Sequence, residues 1–159
     1  MQLGWESESG TTPNNRKMEH KFIDIFTGLK RDYGYADINS AYKDPSTGKL
    51  KLKYGWAAKE LLESDYIDHL SGKKSIGIQP CDDDGLAKFG AIDIDSDEYD
   101  NFDLRKYLEI IDKKNIPVVP VKSKSGGLHI YVFFKEPVKA SFVRNFLDKL
   151  LFTFDLKAS

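Results

Sequence analysis

The run KFGAIDID (88–95) constrains this chain more than any other feature. Ala91, Ile92 and Ile94 make it an embedded strand, yet it ends in Asp93 and Asp95. Side chains two apart on a strand share a face, so both carboxylates emerge on one side. Two carboxylates held together repel and raise each other's pKa unless a cation sits between them. A hard divalent ion relieves that repulsion, and paired ions of this kind are the usual machinery of phosphoryl transfer. Taken alone, the same acids also read as a solvated turn, Asp95-Ser96-Asp97, that caps the next helix.

A second segment, VKSKSGGLHIYVFF (121–134), bears on that choice. Lys122 and Lys124 alternate with Ser123 and Ser125, and Gly126 and Gly127 permit close backbone approach. Ammonium groups, hydroxyls and main-chain N–H groups together suit a triphosphate. His129 follows at the start of the strand LHIYVFF, on the face of Tyr131 and Phe133, where its ring can donate to a phosphate oxygen. Read alone, this is a hairpin loop with solvated lysines. Read together, an acidic strand end beside a phosphate-type loop describes a metal plus a nucleotide. No GxxxxGK[ST] pattern occurs, so a P-loop is excluded.

The remaining pattern gives the architecture. Residues 1–20 read as a flexible arm rich in Ser, Thr, Asn, Gly and Pro, ahead of one domain over 21–159. YGYADI (33–38) reads as a strand, KDPSTGK (43–49) as a turn, and WAAKELLE (56–63) as helical. Ser64 caps a second short helix that stops at Gly72. KSIGIQP (74–80) is a strand and CDDDG (81–85) a tight turn. Leu104, Tyr107, Leu108 and Ile111 repeat at helical spacing, and Pro117 ends that helix. A last helix is expected from near Pro137 to Phe154. The order βαββα of this second half suits a mixed α/β layer.

Charge excludes some functions. With 24 Lys+Arg against 25 Asp+Glu, the net charge is −1, so bulk attraction to nucleic acid is not the device. The distribution is uneven: residues 82–103 carry nine acids against Lys88, and 105–157 carry eleven bases against five acids. No stretch is apolar enough to span a membrane, and the polar N-terminus has no signal-peptide core. A lone Cys81 forms no internal disulfide, which suits a reducing cytoplasm.

These motifs resemble the archaeo-eukaryotic primase superfamily, and most closely the primase-polymerases of phages, mobile elements and TOTE conflict systems. FGAIDID is similar to the family's hydrophobic run ending in Asp-x-Asp. Gly127-Leu128-His129 is similar to its small-x-His motif, and HIYVFFKEPV continues as the family does. An element like Phe26, Gly28, Asp32 and Tyr33 precedes them. The resemblance implies an α+β fold, an RRM-like βαββ unit packed on an N-terminal α/β unit, with the site in the cleft between. It implies Asp93 and Asp95 as ligands of catalytic Mg²⁺ or Mn²⁺. Lys122, Ser123, Lys124, Ser125, Gly126, Gly127 and His129 would lie along the phosphates of the incoming nucleotide. The implied activity is DNA primase/polymerase: joining a 3′-hydroxyl to the α-phosphate of a nucleoside triphosphate on a single-stranded DNA template. The implied setting is the cytoplasm of a bacterial or phage-infected cell, with a helicase domain as a further partner.

The family's third acidic motif has one candidate, Phe154-Asp155, at the end of a helix and not on a strand. The expectation is therefore a catalytic domain incomplete at its C-terminus. The alternative is a non-catalytic module of the same fold that binds nucleotide or single-stranded nucleic acid.

Overall fold

Two three-stranded antiparallel sheets, each backed by two helices, make up the α+β fold in a computed structural model that describes residues 13–95, 102–123 and 126–156. The N-terminal sheet contains β1 (Tyr33–Lys43), β2 (Leu50–Ala57) and β3 (Ser75–Gly77) in the order β2-β1-β3. Helices α1 (Pro13–Ile25) and α2 (Glu63–Leu70) belong to the same unit. Phe22, Ile23 and Phe26 pack with Tyr33, Leu61 and Tyr66 into its core. The stretch read as an arm to residue 20 thus contains the first turns of α1.

Asp44 organises the β1–β2 turn. Its carboxylate accepts from the N–H and hydroxyl of Ser46 at 2.8 and 2.6 Å, and Lys51 Nζ lies 2.5 Å away. Those bonds, that of Lys51 first, hold its carboxyl far below the ordinary carboxylate range. The helix expected over 56–63 is not formed. Trp56 and Ala57 instead complete β2, paired with Gly34 and Tyr33, because the β1 ladder outweighs the local helical composition. The helix starts at Glu63, and Ser64 lies inside it; Asp65 reaches back to accept the Leu62 N–H at 2.9 Å.

Asp65 also pairs with Lys74, whose ammonium donates to Tyr33 Oη at 2.6 Å. Burial pushes the Asp65 carboxyl up, but the hydrogen bonds from Lys74 and Leu62 and the nearby charges of Lys74 and Lys59 win and hold it low. Burial likewise opposes the charge on Lys74, and its bonds to Asp65 and Tyr33 overcome that and raise it. Further on, Asp82 Oδ1 accepts the Asp84 and Leu86 N–H groups, and Gly85 at φ 73° completes that turn. Asp82 is therefore spent on the turn, and Asp83 pairs with Arg31 at 2.8 Å.

The second sheet contains β4 (Leu86–Ile94), β5 (Val119–Lys122) and β6 (Leu128–Lys139) in the order β4-β6-β5. Helix α3 (Leu104–Lys113) connects β4 to β5, which gives the βαββ unit. Asp103 caps α3 by accepting the Arg105 N–H at 3.0 Å, a cap of the kind worth about 1 kcal/mol. Helix α4 (Ala140–Thr153) begins three residues later than Pro137 suggests, because Val138 and Lys139 still pair with Ala87 and Leu86. Both helices cover one face of the sheet: Ile92, Ile94, Leu128 and Ile130 pack against Tyr107, Ile111, Leu150 and Phe154. Burying a side chain such as Ile130 or Phe154 contributes about 2–3 kcal/mol. Among the described residues no helix is long and apolar enough to cross a membrane.

Phe26 joins the two units. Its ring meets Phe89, Tyr131 and Phe133 edge-on, with centroids 5.3, 5.7 and 5.3 Å apart. These three lie on the helix-free face of the second sheet. A Cβ on Gly28 would come within 2.1 Å of the Gln79 carbonyl oxygen, so the chain leaving Phe26 must be glycine to pass the segment after β3. Lys88 Nζ to Asp24 Oδ1, at 2.5 Å, adds a second tie.

Candidate active site

The helix-free face of the second sheet is covered by Phe26 at one end and open at the other. Alternation along β4 sends Gly90, Ile92 and Ile94 to the helices and Ala91 and Asp93 to the open face, and Asp95 follows the last strand residue. Along β6 the same alternation buries Leu128, Ile130 and Val132 and leaves His129, Tyr131 and Phe133 on the open side. Register then sets the site: Asp93 lies directly opposite His129. His129 Nε2 is 3.1 Å from Asp93 Oδ1, with the carboxylate 63% and the imidazole 36% exposed. Tyr131 stands edge-on to His129 at 6.3 Å between ring centroids and stacks on Phe133 at 5.9 Å. An acid and an imidazole in contact thus share one opening with a wall of aromatic rings.

The glycine loop closes against the acidic strand end. A Cβ on Gly127 would fall 2.2 Å from the Ile94 carbonyl oxygen and 3.2 Å from Asp95 Cα. Only glycine lets the loop lie on the backbone that carries the carboxylates. Gly126 has φ 95°, a left-handed conformation that costs an L side chain. The Ser123 N–H donates to the Gly127 carbonyl at 2.9 Å, and the Gly126 N–H to the Ser123 carbonyl at 3.2 Å. Those two N–H groups are thus engaged inside the loop and do not form an open cradle. Lys124 and Ser125 lie outside the described residues.

Lys122 is placed differently from the sequence expectation. It pairs with Leu128, and directly opposed residues share a face, so its register puts it on the helical side. Val121, opposite His129, occupies the open side instead. Phe154 is buried in the core between sheet and helices, and Asp155 follows in the turn that ends α4, at φ 59°. That core lies on the opposite face from Asp93 and His129. Among the described residues no group of three or more His, Cys, Asp or Glu side chains is close enough together to hold a metal.

The donor set nonetheless suits one kind of ion. Mg²⁺ takes hard oxygen ligands and is commonly held by one or two carboxylates, with water and substrate phosphates filling its other positions. The exposed Asp93 carboxylate, with Asp95 two residues on, is a donor of that kind; a soft-metal site would need thiolates or clustered imidazoles.

The structure brings Asp93 into contact with His129 and lays Gly127 against the backbone of Ile94 and Asp95; the Asp95 side chain forms no metal-holding group with Asp93 and His129. It adds Phe26, whose role beside the site was not foreseen. The signal available was Phe-x-Gly, an aromatic set two residues before a glycine that must pass close to the segment after β3. The family model described as TOTE conflict system, Archaeo-Eukaryotic Primase domain, matches residues 30–157, most of the chain. No curated protein matches it.

Proposed function

This chain belongs to the archaeo-eukaryotic primase domain family of TOTE conflict systems, and from that premise we propose that it extends or starts a nucleic-acid strand on a single-stranded DNA template. The observation that carries the reading is the direct opposition of Asp93 and His129 on the open face, with Gly127 pressed against the strand end. Asp93, with Asp95 two residues on, would hold Mg²⁺ or Mn²⁺. When bound, the ion lowers the pKa of the attacking hydroxyl and offsets charge on the phosphates.

The protein's own groups do the rest. Asp93 is fixed by the strand, so little reorganisation is needed at the moment of reaction. His129 Nε2 contacts Asp93, and a nucleotide phosphate oxygen would compete for that ring. The loop 123–127 borders the phosphates, with Lys124 and Ser125 supplying charge and a hydroxyl. Tyr131 forms the wall beside them. In the reaction the 3′-oxygen attacks the α-phosphorus, its proton passes to solvent, and the bond to the β-phosphate oxygen breaks. Pyrophosphate leaves.

One observation favours the alternative of a nucleotide-binding module without catalysis: among the described residues no group of three or more His, Cys, Asp or Glu side chains is close enough to hold a metal. Nucleotide incorporation on a primed single-stranded template with Mn²⁺ separates the two. Incorporation by the wild type and its loss in Asp93→Ala/Asp95→Ala is the expected result. Nucleotide binding with no incorporation at any enzyme concentration selects the module.

A further inference from the structure

The N-terminal sheet has an uncovered face that no step above uses. One side, with Tyr33, Ala57 and Ile76, packs into the core formed with α1 and α2. On the other side the register sets Gly34 between Trp56 and Gly77, and Ala36 between Tyr54 and Ser75. These six residues line a groove of about 380 Å³. Trp56 is 66% and Tyr54 79% exposed, unusual values for large rings in the middle of a strand.

The two glycines have no internal explanation. Neither Gly34 nor Gly77 has a positive φ. A Cβ at Gly34 would sit 3.6 Å from the nearest atom, and so would one at Gly77, which is ordinary contact. Gly28, Gly90 and Gly127 differ, since a Cβ there would collide. A glycine inside a strand weakens it and often marks a place where a ligand approaches closely. The missing side chains leave a flat backbone floor beside two upright rings, the shape that accepts a planar group.

Charge indicates which planar group. The hairpin 33–57 carries Lys43, Lys49, Lys51 and Lys53 against Asp37 and Asp44, a net +2 in a chain of net −1. β2 is an edge strand, and Lys51 and Lys53 alternate along it with Leu52, Tyr54 and Trp56. Lys51 and Lys53 fall on the other face and Lys51 pairs with Asp44, whereas Lys43, opposite Leu50, shares the face of Tyr54 and Trp56. Single-stranded nucleic acid is recognised by that combination, bases stacked on rings and phosphates tracked by lysines. We infer that the groove of Gly34, Gly77, Tyr54 and Trp56 is a base-stacking platform for a single strand. The inference rests on the polymerase reading above, for which the strand is the template.

Fluorescence anisotropy of a labelled oligothymidylate tests it, beside an abasic oligomer of equal length. The expected result is tighter binding of the oligothymidylate, and a roughly ten- to hundredfold weakening in Trp56→Ala, the loss of one stacked base. Gly77→Ala raises the floor with its Cβ in ordinary contact with Gly34, so it should keep the thermal midpoint and weaken the preference for bases. Equal binding of both oligomers, or unchanged binding in both variants, overturns the platform. Self-association that depends on Trp56, with no oligonucleotide binding, also overturns it and assigns the face to a second copy. Incorporation measured on the same wild-type sample separates the two claims. Incorporation without Trp56-dependent binding refutes the platform alone, and Trp56-dependent binding without incorporation supports it and counts against the polymerase reading.

Discussion

Replacing Gly127 with alanine adds one methyl group, and its effect can be worked from the contacts it would meet. The new carbon would lie 2.2 Å from the Ile94 carbonyl oxygen. Even close carbon–oxygen contacts in proteins are about 3.3–3.6 Å, so loop and strand must separate by about 1 Å. The obstacle is backbone of β4, paired through Ile94↔Leu128 and Asp93↔His129, and it cannot swing aside as a flexible side chain would. Forced overpacking of this kind costs about 1–3 kcal/mol. Against a typical total of about 5–15 kcal/mol the variant stays folded. The site feels the change more, since a displacement of about 1 Å in a reacting geometry can lower a rate about a hundredfold. Urea denaturation should show a lower midpoint with an unchanged slope, and Mn²⁺-dependent incorporation should drop by about two orders of magnitude. A midpoint and an incorporation rate both equal to wild type would refute the close packing of loop on strand end.

Two further expectations follow from the fold. Phe26→Ala removes the ring that meets Phe89, Tyr131 and Phe133, and should cost about 2–3 kcal/mol in denaturant unfolding. It should also raise hydrogen exchange in α1 relative to α3. Asp65→Asn should lower stability at pH 7 by about 1–3 kcal/mol, because Lys74 loses its charged partner. The sign with pH is fixed: the folded Asp65 carboxyl lies below its ordinary 3.8, so its contribution is present above that value and is lost as pH falls through the folded one. Lys74 runs oppositely, its contribution being present below 10.5 and lost as pH rises through its raised value. Urea midpoints of wild type and variant should therefore differ at pH 7 and converge in strong acid; a gap that is constant with pH would contradict the ion pair.

The second half of the chain was the more legible in the sequence, for a physical reason. In KFGAIDID and LHIYVFF a period of two survives because one face is buried under helices, and burial fixes which residues are apolar. Parity within each strand therefore set Asp93 with Asp95, and His129 with Tyr131 and Phe133, away from the apolar side. It could not give the register that sets Asp93 against His129, which the β5–β6 loop and the fit of Gly127 on β4 decide. Applied to β5, the same parity argument would have placed Lys122 with Leu128. The lysine–serine alternation was instead read as chemistry and not as a strand end. The N-terminal half misled more. AAKELLE has helical composition, yet Trp56 and Ala57 extend β2 because β1 offers a partner ladder. Helix α1 went unread because polar residues dominate its first turns, although Phe22 and Phe26 stand four apart. The aromatic groove was also hidden, since its ring-on-glycine arrangement exists only across three strands.

Manganese binding read by electron paramagnetic resonance, with a nucleoside triphosphate present, tests the central claim most directly. Wild type should take up Mn²⁺ in a nucleotide-dependent way, and Asp93→Asn should lose that uptake while its circular dichroism spectrum and urea midpoint stay intact, since a repelling carboxylate has been neutralised. Equal Mn²⁺ uptake by both proteins would contradict the assignment of this strand end as the metal and nucleotide site.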